Sequence, residues 1–370
     1  MSELGARLRA ARETAGLSLS ALAARTHYSK PYLSQLESGA RPVKPDHVVA
    51  YSRALNVAVE ALYGPSLDPL RVAHEWLVAD NPASTHQEAG RRVGASLAGE
   101  LEDRVIELRL LDDTVGGGDL IPLVRRELAN TAEVVKHGSY TEPIGRRLRV
   151  VVGELSQLAG WVASDAGQYA EAQRAYLEGV SAADEAGDKV LAGQLLSSLA
   201  YQMANVGDPA DAALLAKSAI AGARGAPPVA RTLLLERVAW ANARSRDRDG
   251  AKRALDAVDD AYEARSPDIA EPHWVYWMSR DEINVMAGRC LIELGDPTGA
   301  APLLTEAIDG YDAGHAREVA LYQTWLAESY ARSGVLDAAR VIIRRARTAV
   351  SDVNSARLLR RVNEIERLVE

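Results

Sequence analysis

Apolar residues recur at helical spacing through the first sixty positions of the chain. Leu4, Leu8 and Ala11 line one side of a helix predicted over 3–15, and Gly16 stands as its stop. Ser18 is placed to cap a second helix that turns Leu19, Leu22 and Ala23 inward, and "THYS" makes a brief turn after it. The stretch "SKPYLSQLESG" then carries its own start and finish, with Ser29 as N-cap, Pro31 in the first turn and Gly39 as a left-handed stop. Leu33 and Leu36 form its one apolar side, which leaves the donors Lys30, Tyr32, Ser34, Gln35 and Ser38 pointing elsewhere. Pro45 and Asp46 open a fourth helix with Val48, Val49 and Leu55, and "VEALYG" predicts a short fifth.

From about residue 150 the pattern repeats. The segments "DAGQYAEAQRAYLEG", "NVGDPADAALLAKSA", "RSRDRDGAKRALDAV", "ELGDPTGAAPLLTEA" and "RSGVLDAARVIIRRA" align on turns at Gly167, Gly207, Arg246, Gly295 and Gly334, spaced by 40, 39, 49 and 39 residues. Ala172, Ala212, Ala251, Ala300 and Ala339 follow five positions after each turn, and Gly160, Ala200, Ala239, Gly288 and Ala327 precede each by seven. Small residues in both positions predict closely packed helical hairpins in series. The longest spacing marks an insertion that includes "ARSPDIAEPHWVYWMSRDE", whose Trp274, Tyr276 and Trp277 would form either a ligand rim or a plug. Residues 67–150 are less regular: helices are expected over 86–112 and 120–137, with "GGG" as a turn and Asp119 as a cap. No Lys followed by Ser or Thr comes after those glycines, as a phosphate loop would require. The expected architecture is all-α, with a helix-turn-helix domain over 1–66, a helical linker over 67–150 and a repeat domain over 151–370.

Composition narrows the function classes. Hydrophobic residues are 47% and charged residues 25% of 370, ordinary values for a globular chain. The absence of a long apolar run or signal-peptide core, with a single cysteine, Cys290, fits a cytoplasmic protein. The net charge of −8 is uneven: residues 1–66 carry +3 and the remainder −11. Any nucleic-acid contact therefore belongs to the basic head. No metal-spaced cluster, cofactor fingerprint or catalytic constellation stands out, so neither an enzyme nor a cofactor is expected.

Five short helices with a tight turn between the second and third make helix-turn-helix geometry. With "GLSLSALAART", "YLSQLESG" and the Leu-x-x-Leu-Glu-x-Gly ending at Leu33, Leu36, Glu37 and Gly39, the head resembles the XRE-type, phage-repressor-like DNA-binding domain. That resemblance implies that Ser29, Lys30, Tyr32, Ser34 and Gln35 face the major groove of double-stranded DNA. Lys30 would suit guanine and Gln35 adenine. Ser18, Ser20, Arg41 and Lys44 would hold phosphates. It also implies an internal ion pair between Arg12 and Glu37. Pro31 departs from the family pattern: it removes one polar contact and would offer apolar contact to a thymine methyl. Useful affinity would then call for a homodimer.

The repeats resemble the tetratricopeptide family at a period longer than its usual one, a length that HEAT-like arrays also show, and the whole layout resembles actinobacterial XRE-type regulators. The excess of 37 Arg over 6 Lys points the same way. In such repeats the first helices line a groove. Helical spacing nominates Gln157, Trp161, Asp165, Gln194, Ser197, Tyr201, Asn205, Glu236, Trp240, Arg244, Arg289, Thr324, Glu328 and Arg332. Aromatics with amides and paired charges would suit a peptide or small-molecule ligand, with Asn205 and Gln157 as clamps on a peptide backbone. An adaptor that recruits a protein through this surface is the alternative. The terminal stripe of Leu358, Leu359, Val362, Ile365 and Leu368 would serve as a dimer interface or as a cap on the last hairpin.

Overall fold

The helix signals that fall on described residues become helices, and the computed structural model has no strand among those residues, which are 3–26, 28–41, 43–55, 57, 62, 92–115, 117–311, 316–350 and 356–370. The chain divides into two units, Met1–Thr85 and His86–Glu370.

The first unit holds α1 (Glu3–Thr14), α2 (Leu19–Arg25), α3 (Lys30–Ser38) and α4 (Pro45–Leu55). The fifth helix expected over "VEALYG" lies outside the described residues except for Leu62, which is buried in this core. Ser18 and Ser29 sit in extended backbone, and their hydroxyls accept the N–H groups of Ala21 and Tyr32. Gly39 ends α3 at φ 76°, a conformation that glycine adopts without a Cβ penalty. Leu8, Leu22, Leu33, Leu36 and Val48 are fully buried between the four helices.

One polar link crosses this small core. Arg12 Nε and Nη2 donate to Glu37 Oε1 and Oε2, each at 2.7 Å, while Arg12 Nη1 donates to Leu17 O at 2.8 Å. The Tyr51 hydroxyl donates to Glu37 Oε1 at 2.9 Å. Thus Arg12 holds the α1–α2 turn, and α1, α3 and α4 meet on one carboxylate. Its hydrogen bonds hold the Arg12 guanidinium above its ordinary pKa. Burial, then the Glu37 charge, raises that of Tyr51.

The second unit begins with α5 (Ala95–Val115) and α6 (Gly117–His137), both packed on α7 (Glu142–Asp165). Of the expected first helix, residues 86–91 lie outside the described set, and the Asp119 side chain does too. The second starts at Gly117, earlier than the pattern suggested. Five antiparallel hairpins follow from α7 and α8 (Tyr169–Ala186), α9 (Lys189–Val206) and α10 (Pro209–Gly222), and α11 (Pro228–Arg244) and α12 (Arg248–Glu263). The last two are α13 (Arg280–Glu293) with α14 (Pro297–Gly310), and α15 (Ala316–Arg332) with α16 (Leu336–Val350), before the closing α17 (Ala356–Val369). Each first helix also touches the first helix of the next hairpin, so α7, α9, α11, α13 and α15 share one side.

The repeated small residues explain the register. Ala172, Ala212, Ala251, Ala300 and Ala339 are each 0% exposed, as are Ala200, Ala239 and Ala327. A Cβ on Gly160 would lie 2.4 Å from Tyr176 Cε1, and one on Gly288 would lie 2.9 Å from Leu304 Cγ. Gly167, Gly295 and Gly334 take φ near +82° at their turns (81°, 83° and 82°), and Arg246 takes φ 62° in the same place, whereas Gly207 turns at φ −122°. Asp208, Asp247 and Asp296 then cap the second helices. In α17, Leu358, Val362 and Ile365 are buried against the last hairpin, while Leu359 and Leu368 remain exposed. The terminal stripe therefore caps the last hairpin.

Two substitutions test these packing rules. Arg12→Met leaves Glu37 buried without its cation and is expected to cost about 3–5 kcal/mol, most of it recovered when Glu37→Met is added. Amide exchange in α3 measures the loss. Gly160→Ala is expected to cost about 1–3 kcal/mol through overpacking against Tyr176, read by chemical denaturation, with Tyr176→Leu relieving part of it.

Candidate nucleic-acid interface and ligand cavity

On α3, the two buried leucines and Glu37 face the core, so helical geometry turns Ser29, Lys30, Ser34, Gln35 and Ser38 outward, and all five are exposed. Ser29 is spent on its cap. The side chains of Lys30, Ser34 and Gln35 make no hydrogen bond to any described residue. Arg41 and Lys44 stand exposed beyond the end of the helix, and Ser18 and Ser20 are exposed at the start of α2.

Tyr32 differs from the other four. It is half-buried, its ring stacks on Tyr28 at 5.2 Å, and its hydroxyl meets His47 Nε2 at 2.9 Å. The Arg41 guanidinium lies 4.5 Å from the ring centroid. Sequence reasoning missed His47, which is 4% exposed and accepts the Lys44 N–H on Nδ1 at 2.8 Å. That bond leaves the ring proton on Nε2, which donates to Tyr32. His47 thereby ties the loop carrying Arg41 and Lys44 to α3. A lone histidine at a helix start gives no pattern signal for this role.

In the second unit, most of the nominated groove residues do gather. A cavity of 460 Å³ is lined by Trp161, Asp165, Tyr201, Asn205, Trp240, Arg244, Arg289, Glu328 and Arg332. An inner chamber of 550 Å³ adds Gln157, Gln194 and Glu236, and shares Trp161, Asp165, Tyr201 and Arg289 with the first. Ser197 and Thr324 line neither. Both are 0% exposed, and their hydroxyls bond back to Gln194 O and Leu321 O of their own helices. Ser198 and Trp325 take the lining positions one residue later. The peptide-clamp expectation also fails. Asn205 donates to Tyr201 O and accepts the Trp240 indole N–H, while Gln157 Oε1 accepts from Arg109 Nη1. Both amides are occupied within the fold.

The insertion supplies a wall. Trp274 is buried, Trp277 Nε1 donates to Trp274 O, and the Tyr276 hydroxyl donates to Asp113 Oδ2 on α5 at 2.5 Å. From the far end of the sequence, α17 brings Arg357, whose Nη2 donates to the Tyr201 hydroxyl at 2.9 Å, and Arg361, which pairs with Glu328 beside the Trp325 ring. Repeat spacing carried no hint that the final helix reaches back across 156 residues.

The centre of the cavity is a guanidinium–aromatic stack. Arg289 lies 4.2 Å from the Trp240 centroid and 4.5 Å from that of Trp325, and its Nη1 donates to the Tyr201 hydroxyl at 3.0 Å. Arg237 lies over the Tyr201 ring at 4.3 Å. Burial alone would raise the Tyr201 phenol, but Arg289, Arg357 and Arg237 outweigh it and bring the pKa down to about 7. Burial pushes the Glu236 carboxyl up to about 8, so it is largely protonated at neutral pH. Cys290, next to Arg289, is buried and pushed up to about 12 by that burial, an inert core thiol. Among the described residues no cluster of ligand side chains fits a metal, and no described helix is long and apolar enough to cross a membrane.

Residues 3–62 match the family of helix-turn-helix domains, so this class of domain occupies the first unit. The same region is 44% identical over 59 residues to two proteins described as uncharacterized HTH-type transcriptional regulators, one from Mycobacterium tuberculosis strain CDC 1551 / Oshkosh and one from strain H37Rv. Each match covers 16% of this chain and 42% of the relative, so the chain spans less than half the length of the curated relatives it matches.

The phenol makes a direct prediction. Its folded pKa of about 7 lies below the ordinary 10.0, so between those values only the unfolded chain keeps the proton and stability rises with pH. Glu236 works in the opposite sense between 4.5 and about 8, where the folded carboxyl keeps its proton and stability falls as pH rises. Near-ultraviolet phenolate absorbance should show one tyrosine titrating near neutrality, and Tyr201→Phe should remove that step.

Proposed function

We propose that this chain is a DNA-binding transcriptional regulator that reads an operator with α3 of an XRE-type head. Its tetratricopeptide-like repeats sense a small-molecule or peptide signal or a partner protein. The observation that carries the reading is the outward face of α3. Lys30, Ser34 and Gln35 are exposed and uncommitted, on a helix whose orientation is held by the buried Arg12–Glu37 pair. A helix of this kind enters the major groove, where Lys30 and Gln35 have matching base-edge partners. Arg41 and Lys44 are placed for phosphates, and Ser18 and Ser20 present hydroxyls at the start of α2. Tyr32, tied to His47, is assigned to positioning the loop of Arg41 and Lys44, with its ring edge left for the groove. Two heads of a homodimer would read two half-sites. A signal in the cavity would shift the DNA-binding equilibrium only if it bound the two states with different affinity.

The test is binding to the DNA upstream of the protein's own gene at two salt concentrations. Lys30→Ala and Gln35→Ala are each expected to cost about 1–3 kcal/mol of discrimination, and affinity for every sequence should fall with salt. Binding that both substitutions leave unchanged would overturn the reading and make α3 a surface for protein.

A further inference from the structure

Arg237 and Arg289 are 7% and 4% exposed, yet neither forms an ion pair with a described carboxylate. Arg289 spends Nη1 on Tyr201, and its buried Nε has no partner. Arg237 makes no hydrogen bond to any described residue: it only covers the Tyr201 ring while lining the inner chamber. Unpaired buried guanidiniums are costly, and the Tyr201 phenol, which already accepts from Arg289 and Arg357, supplies one counter-charge at most, so two guanidiniums beside one cavity leave a place for an anion. The carboxyl groups around them do not fill it: Asp112, Asp165, Asp281 and Glu318 also line the chamber, yet none forms an ion pair with Arg237 or Arg289. Glu282 accepts the hydroxyls of Tyr311 and Tyr322, and Asp113 accepts that of Tyr276. Glu236, whose buried Oε1 has no hydrogen-bond partner, is held largely protonated and can donate. The walls also present rings, Trp161, Trp274, Trp277 and Tyr322 among them, and the 550 Å³ volume suits a small organic molecule.

We infer that the inner chamber binds a small aromatic carboxylate, its anion beside Arg237 and Arg289 and its ring among Trp161, Trp274 and Tyr322. The planar guanidiniums match a carboxylate by parallel N–H donation, and the indoles provide stacking faces. This deepens the reading of the repeat unit as a sensor and rests on it for its purpose.

The probe is 2-naphthoate, with 2-naphthamide as its uncharged counterpart and N-acetyl-tryptophan for a carboxylate at a peptide C-terminus, titrated calorimetrically into the full chain. Naphthoate should bind with a Kd of about 1 mM or tighter, and the amide at least about tenfold more weakly. Arg237→Met should reduce naphthoate affinity by about tenfold or more, the loss of a charge-assisted contact. It should also raise the unfolding midpoint of the ligand-free chain, because an unpaired buried charge is removed. Tighter binding of N-acetyl-tryptophan would assign the same site to a peptide terminus. No naphthoate binding, equal binding of acid and amide, or undiminished binding by the variant overturns the inference. So does an Arg237→Met chain that is less stable or unfolded, which would make Arg237 structural. Naphthoate binding without any change in DNA affinity would uphold the site and count only against the sensor reading.

Discussion

Close approach of paired helices at small residues is the constraint on which the second unit depends. Gly160 and Gly288 leave no room for a Cβ, and the alanines at the equivalent places in other hairpins are fully buried. At these contacts a bulky residue such as Tyr176 or Leu304 enters the space that the missing side chain leaves. Interiors are packed too tightly to absorb even one extra carbon without movement. The register within each hairpin is therefore set, and with it the line of first helices whose side chains surround the cavity.

The first unit is organised differently, around one carboxylate. Four short helices bury few large residues, and a domain of this size has little stability to spare. Glu37 accepts from Arg12 and Tyr51 at once and so fixes the rotation of α3 about its own axis. That rotation decides which side chains stand outward. A buried ion pair contributes little net stability compared with a well-packed apolar contact, and here its contribution is orientation. His47 does the same for the loop that follows, by binding both Tyr32 and the Lys44 backbone.

Charge in the second unit runs against its surroundings. The part of the chain after residue 66 is strongly acidic, yet the cavity gathers arginines from α11, α13 and α17 around a single phenol. Aromatic faces stabilise these cations without neutralising them. The positive field is strong enough to draw the Tyr201 phenol down to about 7 against its burial. That phenol supplies one counter-charge, and Arg237 and Arg289 form no ion pair with a described carboxylate, an arrangement that suits a binding site more than a core, since a core is cheaper to build from apolar residues.

Much of the fold was legible in the residues. Caps at Ser18 and Ser29, the stop at Gly39 and the five-fold series of small residues are local or periodic signals, and each acts through backbone or helix geometry that neighbours in sequence control, whereas the Arg12–Glu37 pair, 25 residues apart, was implied only by the resemblance of the head. Helical periodicity also selected most of the cavity lining, because a residue three or four positions along stays on one face. It erred by one residue at Ser197 and Thr324, where Ser198 and Trp325 face the space, because a helical stripe is broad and only the adjoining hairpin decides its edge. It could not foresee that Asn205 and Gln157 are consumed by Trp240 and Arg109. Nor could it place Arg237 against Tyr201 or bring Arg357 back from the last helix. Helix type, caps and repeat register were determined by the sequence alone, since they depend on short-range sterics and hydrogen bonds. The partners of the buried polar groups were decided only by the tertiary structure, because they come from helices distant in the chain whose meeting leaves no local signal.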